Sequence, residues 1–295
     1  MHTAIVLDIN SGSVGGGVVL LRKHLPPALL YSFRKIFRVP EEKKIELPAH
    51  GHLPAGGSGN SRSIQFSSLR SVMRRALDQV LRQVYNDGLV TLAKNGKVPR
   101  RVDHILVTLS SIWEETDLDA IEEEITKVLG SKRGICVKDF IFVLSHTLNL
   151  GKKKDVLIAS VSGGFTEFIP VSEISERRSV SVSAGPEIIA REIAGELKLE
   201  PHLATSLVSL YSQNALDPNK KDEIEPIITR EIEKWRGLVF DSDMAQKMKR
   251  IHLFVPHSYS GIAGRILKNT YPGAEIIFEE RDPLELLSAF SNSLL

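Results

Sequence analysis

Apolar and polar positions alternate along this chain in two successive stretches that follow one plan. Near the start, Ala4–Asp8, Val14–Leu21 and Ala28–Phe37 are short runs rich in Val, Ile, Leu and aromatic residues, which predicts three strands. A helical period opens at Phe66, where Phe66, Leu69, Val72, Met73, Ala76, Leu77, Val80, Leu81, Val84 and Leu89 recur at three- and four-residue spacing. Val102–Leu109 reads as a strand, Asp117–Leu129 as an acidic helix capped by Thr116 or Asp117, and Ile135–Leu144 as another strand. The second stretch begins with an apolar hairpin, Asp155–Val171, followed by a strand at Arg178–Ser183. A helix starts at Gly185-Pro186, because proline at the first helical position lacks only an N–H that would have no partner there. Helices at His202–Tyr211 and Glu223–Trp235 follow, then strand Ile251–Val255, helix Ser260–Lys268, strand Ala274–Phe278 and a short apolar helix, Leu284–Leu295. Strands first and then an alternation of helix and strand, run through twice, predict a duplicated α/β fold.

The two hairpins carry the most specific signal. The first is Ala4-Ile-Val-Leu-Asp-Ile-Asn-Ser-Gly-Ser-Val14, and the second is Asp155-Val-Leu-Ile-Ala-Ser-Val-Ser-Gly-Gly-Phe-Thr-Glu167 running on to Val171. Each is an apolar strand, a turn of small residues and a second apolar strand. Such turns let backbone N–H groups approach a phosphate closely. Two of them in one chain point to two halves that grip one polyphosphate. Between the repeats' first strands and first helix lies Arg38–Ser63, broken by Pro40, Pro48, Pro54 and the Gly-Gly-Ser-Gly-Asn run at 56–60, which predicts a flexible loop open to proteolysis. His50 and His52 within it lack further ligands and read as solvated.

Composition narrows the choices by exclusion. A net charge of +2 over 295 residues gives no footprint for nucleic acid or an acidic membrane surface. Arg70, Arg74, Arg75 and Arg82 on the Phe66 helix read as its solvated face. The single cysteine, Cys136, rules out an internal disulfide and a cysteine-built zinc site, and inside an apolar run it reads as a buried, inert thiol. No apolar run approaches the roughly 20 residues of a membrane span, and Asp8 interrupts the first apolar run before a signal-peptide core forms. The expectation is a cytoplasmic protein.

This order and these hairpins resemble the actin-like ATPase superfamily of actin, heat-shock chaperone ATPases and sugar kinases. Within it the chain is most similar to bacterial scaffolds of the FtsA and PilM type. The resemblance spans nearly the whole chain and implies a ribonuclease H-like, two-lobed fold with an interlobe cleft. The lobes would be 1–150 and 151–295, with the C-terminal helix returning to the first. The first phosphate hairpin of that superfamily, Asp-Ile-Gly-Ser-Ser-x-Val, matches Asp8-Ile-Asn-Ser-Gly-Ser-Val14. The second, Asp-Ile-Gly-Gly-Gly-Thr-Thr-Asp, matches Ser160-Val-Ser-Gly-Gly-Phe-Thr-Glu167. Arg178–Ala194 and Leu197–Ala204 are similar to its glycine loop and following helices, and Ile251–Gly261 to its adenosine-binding strand and turn. The implied nucleotide contacts are Asp8, Asn10, Ser11, Gly12 and Ser13 from the first turn and Gly163, Gly164, Phe165 and Thr166 from the second. Gly185, Ser258, Ser260 and Gly261 complete them, with Asp8 as the magnesium-organising carboxylate.

The departures from that pattern bear on activity. Ser160 stands where active members carry a second carboxylate for magnesium, and a hydroxyl supplies no charge. Asn10 replaces a glycine that lets backbone approach phosphate. Thr205 and Val208 replace the Glu and Lys that frame the purine, and Pro256 removes a donor from the adenosine turn at Pro256-His257-Ser258. ATP and magnesium are therefore expected to bind weakly or not at all. The expected role is a scaffold that recruits protein partners to an inner-membrane assembly such as a type IV pilus, a secretion system or the division apparatus. It would sit peripheral to the inner membrane through a partner, with self-association open and neither nucleic acid nor direct membrane insertion involved. The competing reading is an active ATPase or small-molecule kinase of the same superfamily. A kinase needs a general base, for which Asp139 is the candidate.

Overall fold

A computed structural model describes residues 2–10, 12–36, 60–99, 101–110, 113, 115–130, 134–150, 153–173, 180–239, 247–279 and 282–291. The expected loop at 38–63 falls outside these residues up to position 59, His50 and His52 included; Asn60–Ser63 open a helix instead. The described chain divides into two compact units, one ending at Leu150 and resumed by the last helix, the other running from Lys153 to Glu279.

In the first unit, β1 (His2–Ile9), β2 (Ser13–Arg22) and β3 (Leu25–Ile36) form an antiparallel meander. Helix α1 (Asn60–Gln83) passes through a wider turn at Val84–Val90 into α2 (Thr91–Lys94). Its predicted apolar face is in place where it packs on β2 and β3: Met73, Ala76, Leu77, Val80, Leu81 and Val84 are all buried. Then come β4 (His104–Leu109), α3 (Glu115–Leu129), β5 (Ile135–Asp139) and α4 (Phe140–Thr147). Asp117 lies inside α3, where its Oδ2 accepts from Arg70 Nη2 at 3.2 Å. The sheet order is β3-β2-β1-β4-β5, with β4 and β5 added parallel to β1.

The expected strand Ile135–Leu144 ends early. Asp139 Oδ1 accepts from the backbone N–H of Ile141 at 2.8 Å and of Phe142 at 3.2 Å, an N-cap that turns Phe140 onward into helix. An apolar run of that length fits a buried strand or a buried helix equally, and the cap decides between them. Cys136 on β5 is half-buried rather than buried.

The second unit repeats the plan with β6 (Val156–Val161), β7 (Thr166–Pro170) and β8 (Val180–Val182) as the meander. Helices α5 (Pro186–Leu197), α6 (Pro201–Ser212) and α7 (Pro218–Val239) follow. After them come β9 (Arg250–Phe254), α8 (Ser260–Thr270) and β10 (Glu275–Phe278). Its order, β10-β9-β6-β7-β8, repeats that of the first sheet element for element, with β9 and β10 parallel to β6. Leu157, Ala159, Ile251 and Leu253 from its strands pack against Ile189, Ile193, Val208, Ile228, Ile232, Ile262 and Ile266 from its helices. The last helix, α9 (Pro283–Ser291), belongs to the first unit, where it packs on α4, β1 and β3.

Candidate functional site

The duplicated topology fixes which residues of the two hairpins correspond. In the first, Ile9 pairs with Val14 and the Asn10 N–H donates to the Ser13 carbonyl at 3.0 Å. In the second, Val161 pairs with Thr166 and the Ser162 N–H donates to the Phe165 carbonyl at 2.9 Å. Asn10 therefore matches Ser162, and Asp8 matches Ser160. Ser160 thus holds in the second sheet the position that Asp8 holds in the first.

The first turn is occupied by the chain itself. Asn10 Oδ1 accepts from the Gly12 N–H at 3.1 Å, the Ser13 N–H at 2.8 Å and the Ser13 hydroxyl at 3.1 Å. These amides are the donors that a phosphate on this turn would use, and an Asx turn spends them locally. Ser11 lies outside the described residues. One step back along β1, the Asp8 carboxylate is only 1% exposed and its Oδ2 accepts from Arg34 Nη1 at 2.8 Å. The same nitrogen donates to Ser13 Oγ at 2.9 Å. Burial pushes the Asp8 carboxyl above its usual range, and the pull of Arg34 does not cancel that. Burial also works against the charge on Arg34, but the Asp8 carboxylate outweighs it and holds the guanidinium charged.

At the second turn, close approach of backbone requires Gly185, while Gly163 lies under the Glu187 side chain. A Cβ on Gly163 would stand 2.2 Å from Glu187 Oε1, and one on Gly185 would stand 2.4 Å from the Gly163 carbonyl oxygen. The start of α5 is thereby laid on the turn, with the Glu187 N–H donating to the Gly163 carbonyl at 2.7 Å. The Glu187 carboxylate lies over Gly163 in the first turn of α5, where its charge would oppose an anion. Thr166 Oγ1 donates to the Ala184 carbonyl at 2.8 Å, Phe165 is buried, and only Gly164 faces open space. Glu167 is buried on β7, directly opposite Ser160 on β6 and Ser181 on β8.

The residues matched to an adenosine turn form the start of α8. Ser260 Oγ donates to the His257 carbonyl at 2.9 Å, and the Ile262 N–H donates to Ser212 Oγ at 3.1 Å. A Cβ on Gly261 would meet the Ser212 carbonyl oxygen at 2.0 Å, so the end of α6 lies against this turn. Ser258 is half-buried in the single 3-10 turn before α8. Val208 is buried in the core, and Thr205 Oγ1 donates back to the Pro201 carbonyl at 2.9 Å.

Residues 2–291 of the chain repeat one five-stranded mixed sheet twice, and solved structures with the same architecture cover almost all of it. One is the ethanolamine utilization protein EutJ from Carboxydothermus hydrogenoformans, at TM-score 0.58 and 11% identity, spanning 99% of this chain and 90% of that one. This chain shares that α/β architecture, an actin-like fold. MreB 5 of Spiroplasma citri, solved with AMPPNP, aligns at TM-score 0.55 and 10% identity over 98% of this chain and 95% of its own. The PilM–PilN type IV pilus biogenesis complex aligns at TM-score 0.51 and 12% identity over 99% of this chain and 96% of that one. No family model matches the sequence, and no curated protein matches it either.

A nucleotide held on these turns would bring magnesium with it. Magnesium takes oxygen ligands in octahedral geometry and keeps several waters. Asp8 is buried and already paired, and Ser160 at the matching position is neutral. Among the described residues no group of three or more His, Cys, Asp or Glu is placed to hold a metal. The residues present do not fit the ion.

Arg34 and Glu187 are the two site residues that sequence reasoning missed. Arg34 sits in a strand like any other exposed-edge arginine until the strand register is known. Glu187 had a weak signal, since an acidic residue behind Gly-Pro marks a helix start, but nothing in the sequence ties that start to the Gly163 turn.

Proposed function

We propose that this chain is an actin-like scaffold that works through protein contacts, with its nucleotide grip filled by its own side chains. The observation that carries this reading is the Asn10 carboxamide, which takes the Gly12 and Ser13 amides of the first phosphate turn. The partners we envisage belong to an inner-membrane assembly such as a pilus, a secretion system or the division apparatus. The fold shared with PilM, solved in complex with PilN, supports that choice of partner. Association of the chain with the inner membrane would then run through the partner. No described helix is long and apolar enough to cross a membrane.

The competing reading, an active ATPase or kinase, draws support from AMPPNP in the MreB 5 structure. Its candidate base, Asp139, spends one carboxylate oxygen on two backbone amides of α4. The test is a phosphate-release assay with magnesium-ATP on the wild-type chain, alongside an Asp8→Asn variant. The scaffold reading expects background release from both. Turnover by the wild type that Asp8→Asn abolishes would establish the enzyme.

A further inference from the structure

Asp8, Gly15 and Arg34 form one row across three adjacent strands, since Asp8 pairs with Gly15 and Gly15 pairs with Arg34. Residues in such a row point to the same face of the sheet. The outer two are about 10 Å apart at the backbone, because neighbouring strands lie about 4.8 Å apart. An arginine spans that distance only if nothing stands between. Gly15 leaves the gap: a Cβ there would come within 2.9 Å of the Arg34 guanidinium carbon. The guanidinium lies over the glycine, and its Nη1 bonds both Asp8 and Ser13 Oγ. Asp282, at the start of α9, approaches Nη2 at 4.0 Å from the other side.

We propose that Arg34 is a built-in counter-ion for Asp8, a fixed guanidinium that takes the charge role of a divalent cation and closes the first hairpin turn to magnesium. The Asp-Gly-Arg row is particular to the first unit, since Ser160, Glu167 and Ser181 stand at the matching positions of the second. One nitrogen, Nη1, serves both oxygens, and its bond to the Asp8 carboxylate is charge-assisted. A hydrated magnesium ion would have to expel it and open a carboxylate that is 1% exposed. This inference concerns the same turn as the scaffold reading but stands or falls on ion binding without nucleotide. Turnover assays decide the other.

Three variants separate the possibilities: Arg34→Met, Asp8→Asn and the two combined. Arg34→Met strands a buried carboxylate beside Asp282 and lowers the melting temperature by about 5–10 °C. The double variant removes both charges and returns to within about 3 °C of wild type, because a buried pair contributes little over neutral replacements. Millimolar MgCl2 leaves wild type and Asp8→Asn unmoved but raises the melting temperature of Arg34→Met. Mn2+ observed by electron paramagnetic resonance binds Arg34→Met and not wild type. Should Arg34→Met not fold, the double variant still folds if the defect is the stranded charge. A double variant that is also unfolded contradicts the proposal. So does a wild type stabilised by MgCl2 in a manner lost on Asp8→Asn, since Asp8 would then be open to the ion despite Arg34.

Discussion

The carboxamide of Asn10 satisfies two backbone amides and a hydroxyl on the first turn and so stabilises the hairpin. Asn10→Ala should cost about 1–2 kcal/mol in urea unfolding, since each intramolecular hydrogen bond contributes about 0.5–1.5 kcal/mol. A second residue-scale test uses Tyr211, whose hydroxyl donates to Glu225 Oε2 at 2.6 Å and accepts from Arg265 Nη1 at 2.6 Å. Burial, then the Glu225 bond, push its pKa from 10.0 to about 12. A raised value favours the protonated phenol in the folded state, so this contribution is whole below pH 10.0 and fades as pH rises to about 12. Ultraviolet titration should show a late tyrosinate contribution near that pH that Tyr211→Phe removes. Asp8 and Asn10 were legible in the sequence because strand-turn-strand patterning places them at a turn. Arg34 was not, because its role depends on a register across three strands and on the absent side chain of Gly15.

At the scale of elements, the two hairpins have the same backbone bond but different tenants. Ser160 faces Glu167 directly across β6 and β7, so restoring an acidic residue there would set two carboxylates opposite each other. Ser160→Asp should therefore lower stability by about 1 kcal/mol, because like charges opposite one another in a sheet are destabilising. Thermal melting checks the sign; a more stable Ser160→Asp would mean that Glu167 does not carry charge at that site. The junction of α6 and α8 makes a sterner case. Gly261→Ala puts a methyl group 2.0 Å from a backbone oxygen of Ser212, which only a shift of one helix relieves. A loss of about 1–3 kcal/mol by denaturant unfolding is expected. Periodicity gave α1 and most of the strands correctly, but it read Phe140–Leu144 as strand. The run is apolar on every side, and the decisive N-cap lies in a single aspartate.

For the molecule as a whole, the doubled order of strands was readable because a repeat of small-residue turns between apolar strands is rare enough to align the halves. What each half still does was less readable. Motif spelling marks Ser160, Asn10 and Pro256 as departures from the pattern the chain resembles, and the folded geometry adds the Asn10 carboxamide on the amides of the first turn and the Glu187 carboxylate beside Gly163 of the second. The central claim is that these turns are closed to a nucleotide by their own side chains. Isothermal calorimetry with magnesium and a non-hydrolysable ATP analogue, on wild type and on Asn10→Gly, tests it most directly. The account predicts no micromolar binding by the wild type and a measurable gain on Asn10→Gly, which frees the Gly12 and Ser13 amides. Micromolar binding by the wild type, unchanged by Asn10→Gly, would contradict it.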